Sequence, residues 1–193
     1  MEMCHHLPNT NVDEVMNGLK MCNKRIISDK DLSGGMGDGG GCHPRDNIAL
    51  SWLSDELGLK FNWFDNIMKQ REVQTEWLAD MIEKESNGLP ITILGKSFKP
   101  QTNITTGSPS ILLYNILIER KLPVTMYDPY IDVPFDDWQD MSEYDGVPQC
   151  YFIGTKHEDF VNFPFDDDSI IIDPWRYIPD KEGCRVIRIG DNN

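Results

Sequence analysis

The residues of this chain best placed to do chemistry are Cys42 and Asp46. They lie in the stretch Gly34-Gly35-Met36-Gly37-Asp38-Gly39-Gly40-Gly41-Cys42-His43-Pro44-Arg45-Asp46. Cys42 sits just before Pro44, a good first helical residue because its φ is preset and its missing N–H would be unbonded anyway. A thiol at a helix N-terminus faces free N–H groups and aligned backbone dipoles, which stabilise its thiolate. Asp46 is four residues on, so it falls on the same helix face about one turn away. A nucleophile and a carboxylate at this spacing could form a thioester and activate the water that opens it. A blander reading competes. Free cysteines often serve as small core residues, and Asp46 could simply stabilise the first turn of its own helix. A cysteine hydrolase would need a general base, and only His43 and His157 are candidates. His43 adjoins Cys42 in sequence and would point away from it.

Glycine lets the backbone approach a ligand closely and take positive φ. Residues 35–40 match G-x-G-x-x-G, but Ser28-Asp29-Lys30-Asp31 stand where the dinucleotide fingerprint requires a strand. That reading is rejected. Gly95-Lys96-Ser97 resembles the tail of a phosphate-binding loop, but position 90 is proline, not glycine, and this reading fails too. The five cysteines (Cys4, Cys22, Cys42, Cys150 and Cys184) are odd in number, widely spaced and free of C-x-x-C pairs. They fit free thiols in a reducing cytoplasm. His5, His6, His43 and His157 do not fall at zinc-ligand spacings near paired cysteines, so no metal site is expected.

The elements that must position these residues fall into two parts. Residues 1–88 read as a helical region containing the glycine-rich cysteine motif. Asn11, with Glu14 three residues later, resembles a helix N-cap signature ahead of Val12, Val15, Met16 and Leu19. Apolar Ile48, Leu50, Leu53 and Leu57 mark a second helix over 44–57. A long helical pattern over about 60–86 ends at Gly88-Leu89-Pro90. Residues 89–193 read as a parallel-sheet domain. Short apolar runs at Ile91–Leu94, Pro123–Tyr127, Cys150–Ile153, Ser169–Ile172 and Arg185–Ile189 suit buried strands. Ser108 suits the N-cap, and Pro109 the first turn, of a crossover helix between the first two. The fold class is therefore α/β, a helical segment followed by a Rossmann-like parallel sheet. Open sheets of this kind bind ligands in the loops after their strands. Three of those loops carry a base: Lys96 and Lys99, Lys156, and Arg176. Such bases fit an anionic ligand such as a nucleotide diphosphate, and equally fit ordinary surface residues.

Composition narrows the partners. The chain has 193 residues, 39% of them hydrophobic, enough for a core, and a formal net charge of −14. Residues 122–173 carry thirteen acids and one base, Lys156. That balance excludes nucleic acid and an anionic membrane surface as partners. No apolar run approaches a membrane span, and the N-terminus lacks a signal-peptide pattern, so a cytoplasmic protein is expected.

Gly37-Asp38-Gly39-Gly40-Gly41-Cys42-His43-Pro44-Arg45-Asp46 resembles the active-site signature of UDP-glucose/GDP-mannose dehydrogenases, G-x-G-G-S-C-x-P-K-D. Ile93-Leu94-Gly95-Lys96-Ser97-Phe98-Lys99-Pro100-Gln101-Thr102 resembles the start of that family's nucleotide-binding domain. It is followed by Ser108-Pro109-Ser110 and Tyr127-Asp128-Pro129 in the family's order. The resemblance covers the central helical, dimerisation-type region's latter portion and the C-terminal nucleotide-sugar-binding domain. It implies oxidation of a sugar C6 alcohol to a carboxylate with NAD as cofactor.

It also implies roles for single residues. Cys42 matches the nucleophile of a thiohemiacetal and thioester, and Asp46 the acid/base aspartate. Arg25 resembles an arginine that reaches a neighbouring subunit's substrate. Gly37, Gly39, Gly40 and Gly41 match the loop around the sugar, and Lys99 and Arg176 match substrate-binding positions. The implied partners are a UDP-sugar and either a second copy of the chain or a separate NAD-binding chain. The sequence departs from the family in three ways. The family's catalytic lysine and asparagine lie before residue 1, its NAD fingerprint is absent, and its T-R-E-S appears as Thr105-Thr106-Gly107-Ser108. A non-catalytic nucleotide-sugar-binding or dimerisation module is therefore the alternative.

Overall fold

The structure is a computed structural model, which describes residues 1–21, 32–37, 39–132 and 146–192, the side chains of residues 2 and 3 excepted. Two helices open the chain, α1 (Glu2–His6) and α2 (Val12–Lys20). Asn11 caps α2 as the sequence predicts, its side chain accepting from the Asp13 N–H at 2.8 Å and the Glu14 N–H at 3.3 Å. Helix α3 (Cys42–Glu56) and helix α4 (Trp63–Ser86) follow. Asn62 caps α4 by accepting from the Asp65 N–H, and Asn87, left-handed at φ 51°, stops it.

Strand β1 (Ile91–Leu94) leads through α5 (Pro109–Glu119) to β2 (Val124–Tyr127). Ser108 caps α5 by accepting from the Ser110 N–H. Then come β3 (Cys150–Ile153), a 3₁₀ turn (Glu158–Asn162), β4 (Ile170–Asp173) and β5 (Arg185–Arg188). Among the described residues these five strands pair in parallel, in the order β2-β1-β3-β4-β5. The strand order reverses between β1 and β3. In open α/β sheets the crevice beyond the strand ends at this point is where ligands bind.

One sheet face buries Ile91, Ile93, Phe152 and Ile172 against Leu78 and Ile82 of α4 and Leu113 and Leu117 of α5. The opposite face buries Leu94, Tyr151, Ile153 and Ile171 against Phe160, Phe163 and Ile178. Helix α4, which sequence groups with the helical part, thus packs on the sheet. Its C-terminal half is also tied to α5 electrostatically. Arg120 meets Glu76, Asp80 and Glu83 at 2.6, 2.7 and 3.0 Å, one carboxylate per turn of α4.

Ile48, Leu50, Leu53 and Leu57, whose spacing marks helix α3, are all exposed, as is Trp52, and within α3 only Ser54 is buried. Periodicity identifies a helix with an apolar stripe, but does not say whether this chain covers the stripe. Among the described residues no helix is long and apolar enough to cross a membrane.

Candidate active site

Cys42 is the first residue of α3 and is exposed. The helix begins two residues before Pro44, with Gly41 at its N-cap and no side-chain cap bond. Pro44 falls in the first turn, where its missing N–H costs no helical bond. The Cys42 N–H is therefore one of the unbonded donors at the helix start. Asp46 lies one turn on, also exposed, and its carboxylate is paired with Arg45. The Arg45 Nε donates to Asp46 Oδ1 at 2.9 Å, and Nη2 lies at 2.9 Å from the same oxygen. That bond is the main reason the Arg45 guanidinium holds its proton above the usual arginine range, with the charge on Asp46 next.

The glycine segment before Cys42 is anchored at both ends to the sheet domain. At its start, a Cβ on Gly35 would lie 2.2 Å from the Trp175 ring. At its end, a Cβ on Gly40 (φ +85°) would lie 2.9 Å from the Phe98 ring. The Gly40 N–H donates to the Gly107 carbonyl at 3.2 Å, which also accepts from Arg71 of α4 at 3.3 Å. A Cβ on Gly107 (φ +71°) would overlap Gly40 O at 2.2 Å. Only glycine fits these close approaches. The loop after β1, the turn before α5 and the first turn of α3 thus converge beside the β1–β3 crevice. Gly39, Gly40, Gly41, Cys42 and Asp46 come together there, with Lys99 next to Phe98. Lys99 is exposed, its ammonium 5.3 Å from the Phe98 ring centre.

Gly37 stands slightly apart, against Gln74. There it borders a cavity of about 440 Å³ lined by α4 residues Trp63, Asn66, Ile67, Gln70, Arg71 and Gln74. Sequence reading missed this wall. Its signal is Asn66, Gln70 and Gln74 at successive four-residue steps, a carboxamide stripe on one helix face.

Arg176 is placed differently from its expected role. Its side chain is 4% exposed and fully engaged. Nε and Nη2 donate to the two oxygens of Asp13, and Nη2 also donates to the Gly34 carbonyl at 3.0 Å. Nη1 donates to the Pro174 and Ile189 carbonyls. Arg176 therefore joins α2 and the start of the glycine segment to the ends of β4 and β5, and offers no free donor to a diphosphate. Two other strand-end bases are also engaged. Lys96 is paired with Asp132 at 2.6 Å, and Lys156 lies 5.4 Å from the Tyr177 ring centre. Arg25 lies outside the described residues.

A buried polar cluster underlies the site. Asp128, with no exposed surface, accepts from the backbone N–H groups of Lys96, Ser97 and Tyr130 and lies 3.2 Å from His157 Nε2. Burial alone would raise its carboxyl. The bonds from His157, Ser97, Tyr130 and Lys96 outweigh that and hold it at about 2. Ser97 Oγ lies 3.0 Å from the same Nε2, and His157 Nδ1 accepts from the Gln101 N–H at 3.0 Å. The residue types are those of a serine hydrolase triad, but the geometry is not. In a triad the carboxylate and the hydroxyl occupy opposite ring nitrogens, whereas here both occupy Nε2 and the ring is fully buried.

Residues 1–72 match the family model described as "UDP-glucose/GDP-mannose dehydrogenase family, central domain". Over that span the chain is similar to the UDP-glucose/GDP-mannose dehydrogenase family. It is 29% identical over 121 residues to UDP-glucose 6-dehydrogenase TuaD of Bacillus subtilis, across 61% of this chain and 26% of that protein. It is 28% identical over 123 residues to GDP-mannose 6-dehydrogenase of Azotobacter vinelandii, across 64% of this chain and 28% of that protein. The chain thus spans little more than a quarter of the length of these two family members. Its fold is that of the UDP-glucose dehydrogenase of Pyrobaculum islandicum, with a TM-score of 0.73 and 21% identity over 92% of this chain and 43% of that one. The UDP-D-ManNAc dehydrogenase of Pyrococcus horikoshii gives 0.71 and 23%, over 98% of this chain and 46% of that one.

Proposed function

We propose that this chain carries the nucleophile and the sugar-nucleotide site of a nucleotide-sugar 6-dehydrogenase, UDP-glucose 6-dehydrogenase-like, that oxidises a sugar C6 alcohol to a carboxylate. The observation that carries the reading is the placement of Cys42, exposed as the first residue of α3 and held beside the β1–β3 crevice by Gly40, Phe98 and Gly107. In this reading a first hydride and proton leave the C6 alcohol to give the aldehyde, and the Cys42 thiolate adds to the aldehyde carbon while the carbonyl oxygen takes up a proton, giving a thiohemiacetal. Loss of the C6 hydride to the hydride acceptor, together with the hydroxyl proton, leaves a thioester. Water then adds, the thiolate leaves, and the carboxylate is released, with Asp46 receiving the proton of the attacking water. Asp46 must exchange Arg45 for that water.

The glycines that imitate a dinucleotide fingerprint do not fit NAD. No strand precedes them among the described residues, Gly35 faces Trp175 and Gly40 faces Phe98. The hydride acceptor, NAD by family resemblance, therefore binds elsewhere in the enzyme. The exposed apolar face of α3 is the surface for a second copy of the chain, to be tested by sedimentation of the parent protein and of a Trp52→Asp variant.

The alternative reading is a non-catalytic nucleotide-sugar-binding or dimerisation module. The engagement of Lys96, Asp46 and Arg176 within the protein favours it. One experiment separates the two. The chain is mixed with a polypeptide bearing the family's NAD-binding domain, and NADH formation is followed with UDP-glucose, GDP-mannose and UDP-N-acetylmannosamine. Turnover that Cys42→Ser abolishes supports the enzyme. A ligand-induced rise in thermal stability without turnover supports the binding module.

A further inference from the structure

His157 takes no part in the chemistry proposed above, yet it is wholly buried and both of its ring nitrogens are used. Its surroundings fix its tautomer. Nδ1 accepts the Gln101 N–H, so the ring proton is on Nε2, where it is shared between Asp128 Oδ2 and Ser97 Oγ. Turning the ring would forfeit the bonds to the Gln101 N–H and to Asp128 together. Tyr130 stacks on one face at 4.7 Å between centres, Phe160 packs edge-on at 5.4 Å, and the His157 carbonyl accepts from Tyr177 Oη at 2.8 Å.

Two of the ring's three partners, Ser97 and Gln101, lie in the loop that follows β1. Ser97 and Gln101 bracket Phe98 and Lys99 in sequence, and Thr155 Oγ1 adds a bond to the Ser97 carbonyl at 2.6 Å. The ring of Phe98, between these two clamped positions, forms the wall against Gly40, two residues before Cys42. We propose that His157, as its Nε2–H tautomer, is a positioning residue for the nucleophile. It clamps the loop after β1 at Ser97 and Gln101 so that Phe98 fixes Gly39 and Gly40 and thereby sets the first turn of α3. The inference rests on Cys42 being the reactive residue of the proposed function.

The clamp needs a donor toward Asp128 and an acceptor toward Gln101, and two near-isosteric amides separate them. His157→Gln can keep the donor, His157→Asn can keep the acceptor, and His157→Ala keeps neither. The test is carried out on the chain itself. Each variant is treated with iodoacetamide at neutral pH, and modification of Cys42 is followed by mass spectrometry, with Cys4 in the same sample as the internal reference. Hydrogen exchange of residues 36–46 and 95–101 is read alongside. His157→Ala is expected to slow Cys42 alkylation relative to Cys4 by about fivefold, the scale on which a helix N-terminus favours a negative charge. Exchange should rise in both segments together. His157→Gln is expected to recover most of the rate and protection, because Asp128 is the more costly partner to strand. Phe98→Ala, which removes the wall and leaves the clamp, should reproduce the loss at Cys42.

Three results would overturn the proposal. One is a Cys42 to Cys4 ratio unchanged in every His157 variant. Another is loss of protection at 95–101 with none at 36–46. The third is a parallel change at Cys4, which would mean general loosening. If His157→Ala does not fold, the Gln and Asn variants and Phe98→Ala decide the matter. None of these readouts uses NAD or a sugar nucleotide, so failure of the dehydrogenase reading shows separately as absence of turnover.

Discussion

Arg176 and Asp13, 163 residues apart in sequence, meet in a two-pronged ion pair with both N–O distances at 2.7 Å. Arg176 is 4% exposed and Asp13 is 47% exposed, so solvent screens one side of the pair. Arg176→Ala should lower stability by about 2 kcal/mol, the range for stranding a half-buried charge and its backbone acceptors, discounted for that exposure. Arg176→Lys should recover little, because a lysine cannot make the paired fork. Urea unfolding checks both. An unchanged midpoint for Arg176→Ala would show that the pair does not hold α2 and Gly34 in place.

Glycine substitutions should rank by what the new methyl meets. Gly107→Ala puts a Cβ 2.2 Å from a backbone oxygen at φ +71°, whereas Gly58→Ala, at φ +62°, meets nothing within 4 Å. The first should cost about 3 kcal/mol and the second about 1 kcal/mol. Chemical denaturation of the two variants gives the comparison, and equal costs would contradict the close approach of Gly107 to Gly40.

Asp128 makes stability depend on acid. Its carboxyl is held at about 2 in the fold against an ordinary 3.8. A depressed folded-state value stabilises above the unfolded-state value and is lost as pH falls through the folded one. Roughly 2 kcal/mol should therefore be present above about pH 4 and disappear toward pH 2. Urea midpoints across that range should show a steeper slope in the parent than in Asp128→Asn, which keeps the contribution of Asp13, held low by its bond from Arg176.

The three carboxylates around Arg120 are 52–68% exposed, so this fan should be modest and sensitive to salt. Arg120→Ala should cost about 1 kcal/mol at low ionic strength. Most of that should vanish in about 1 M salt, where the screening length is about 3 Å. A cost independent of salt would assign the effect to packing of the arginine stem instead.

Much of the fold is legible where one residue's local chemistry decides the structure. Asn11 and Ser108 cap their helices as side-chain acceptors must, and the strands appear as four-residue apolar runs because both sheet faces are covered. The close-packed glycines before Cys42 are legible for the same reason: glycine appears where a backbone must come close. What was not legible depends on partners distant in the chain. Arg176 reads as a ligand-binding base until Asp13 is seen to occupy it. His157 reads as a candidate base until Gln101, Ser97 and Asp128 are seen around its ring. The apolar residues of α3 carry a helical period, but a period does not say which chain covers it.

The pinning of the glycine segment also orders events during synthesis. Its end waits for residues 98–107 and its start waits for Trp175 and Arg176. Val12, which heads α2, bonds Gly190 at 2.8 Å. Contacts of such sequence separation form late, after their loop-closure entropy has been met. A ribosome therefore releases Cys42 long before the chain can build its setting. During that interval the thiol is carried on an unfinished loop, and a product cut off before Trp175 would keep Cys42 but lose the anchor at the start of its glycine segment.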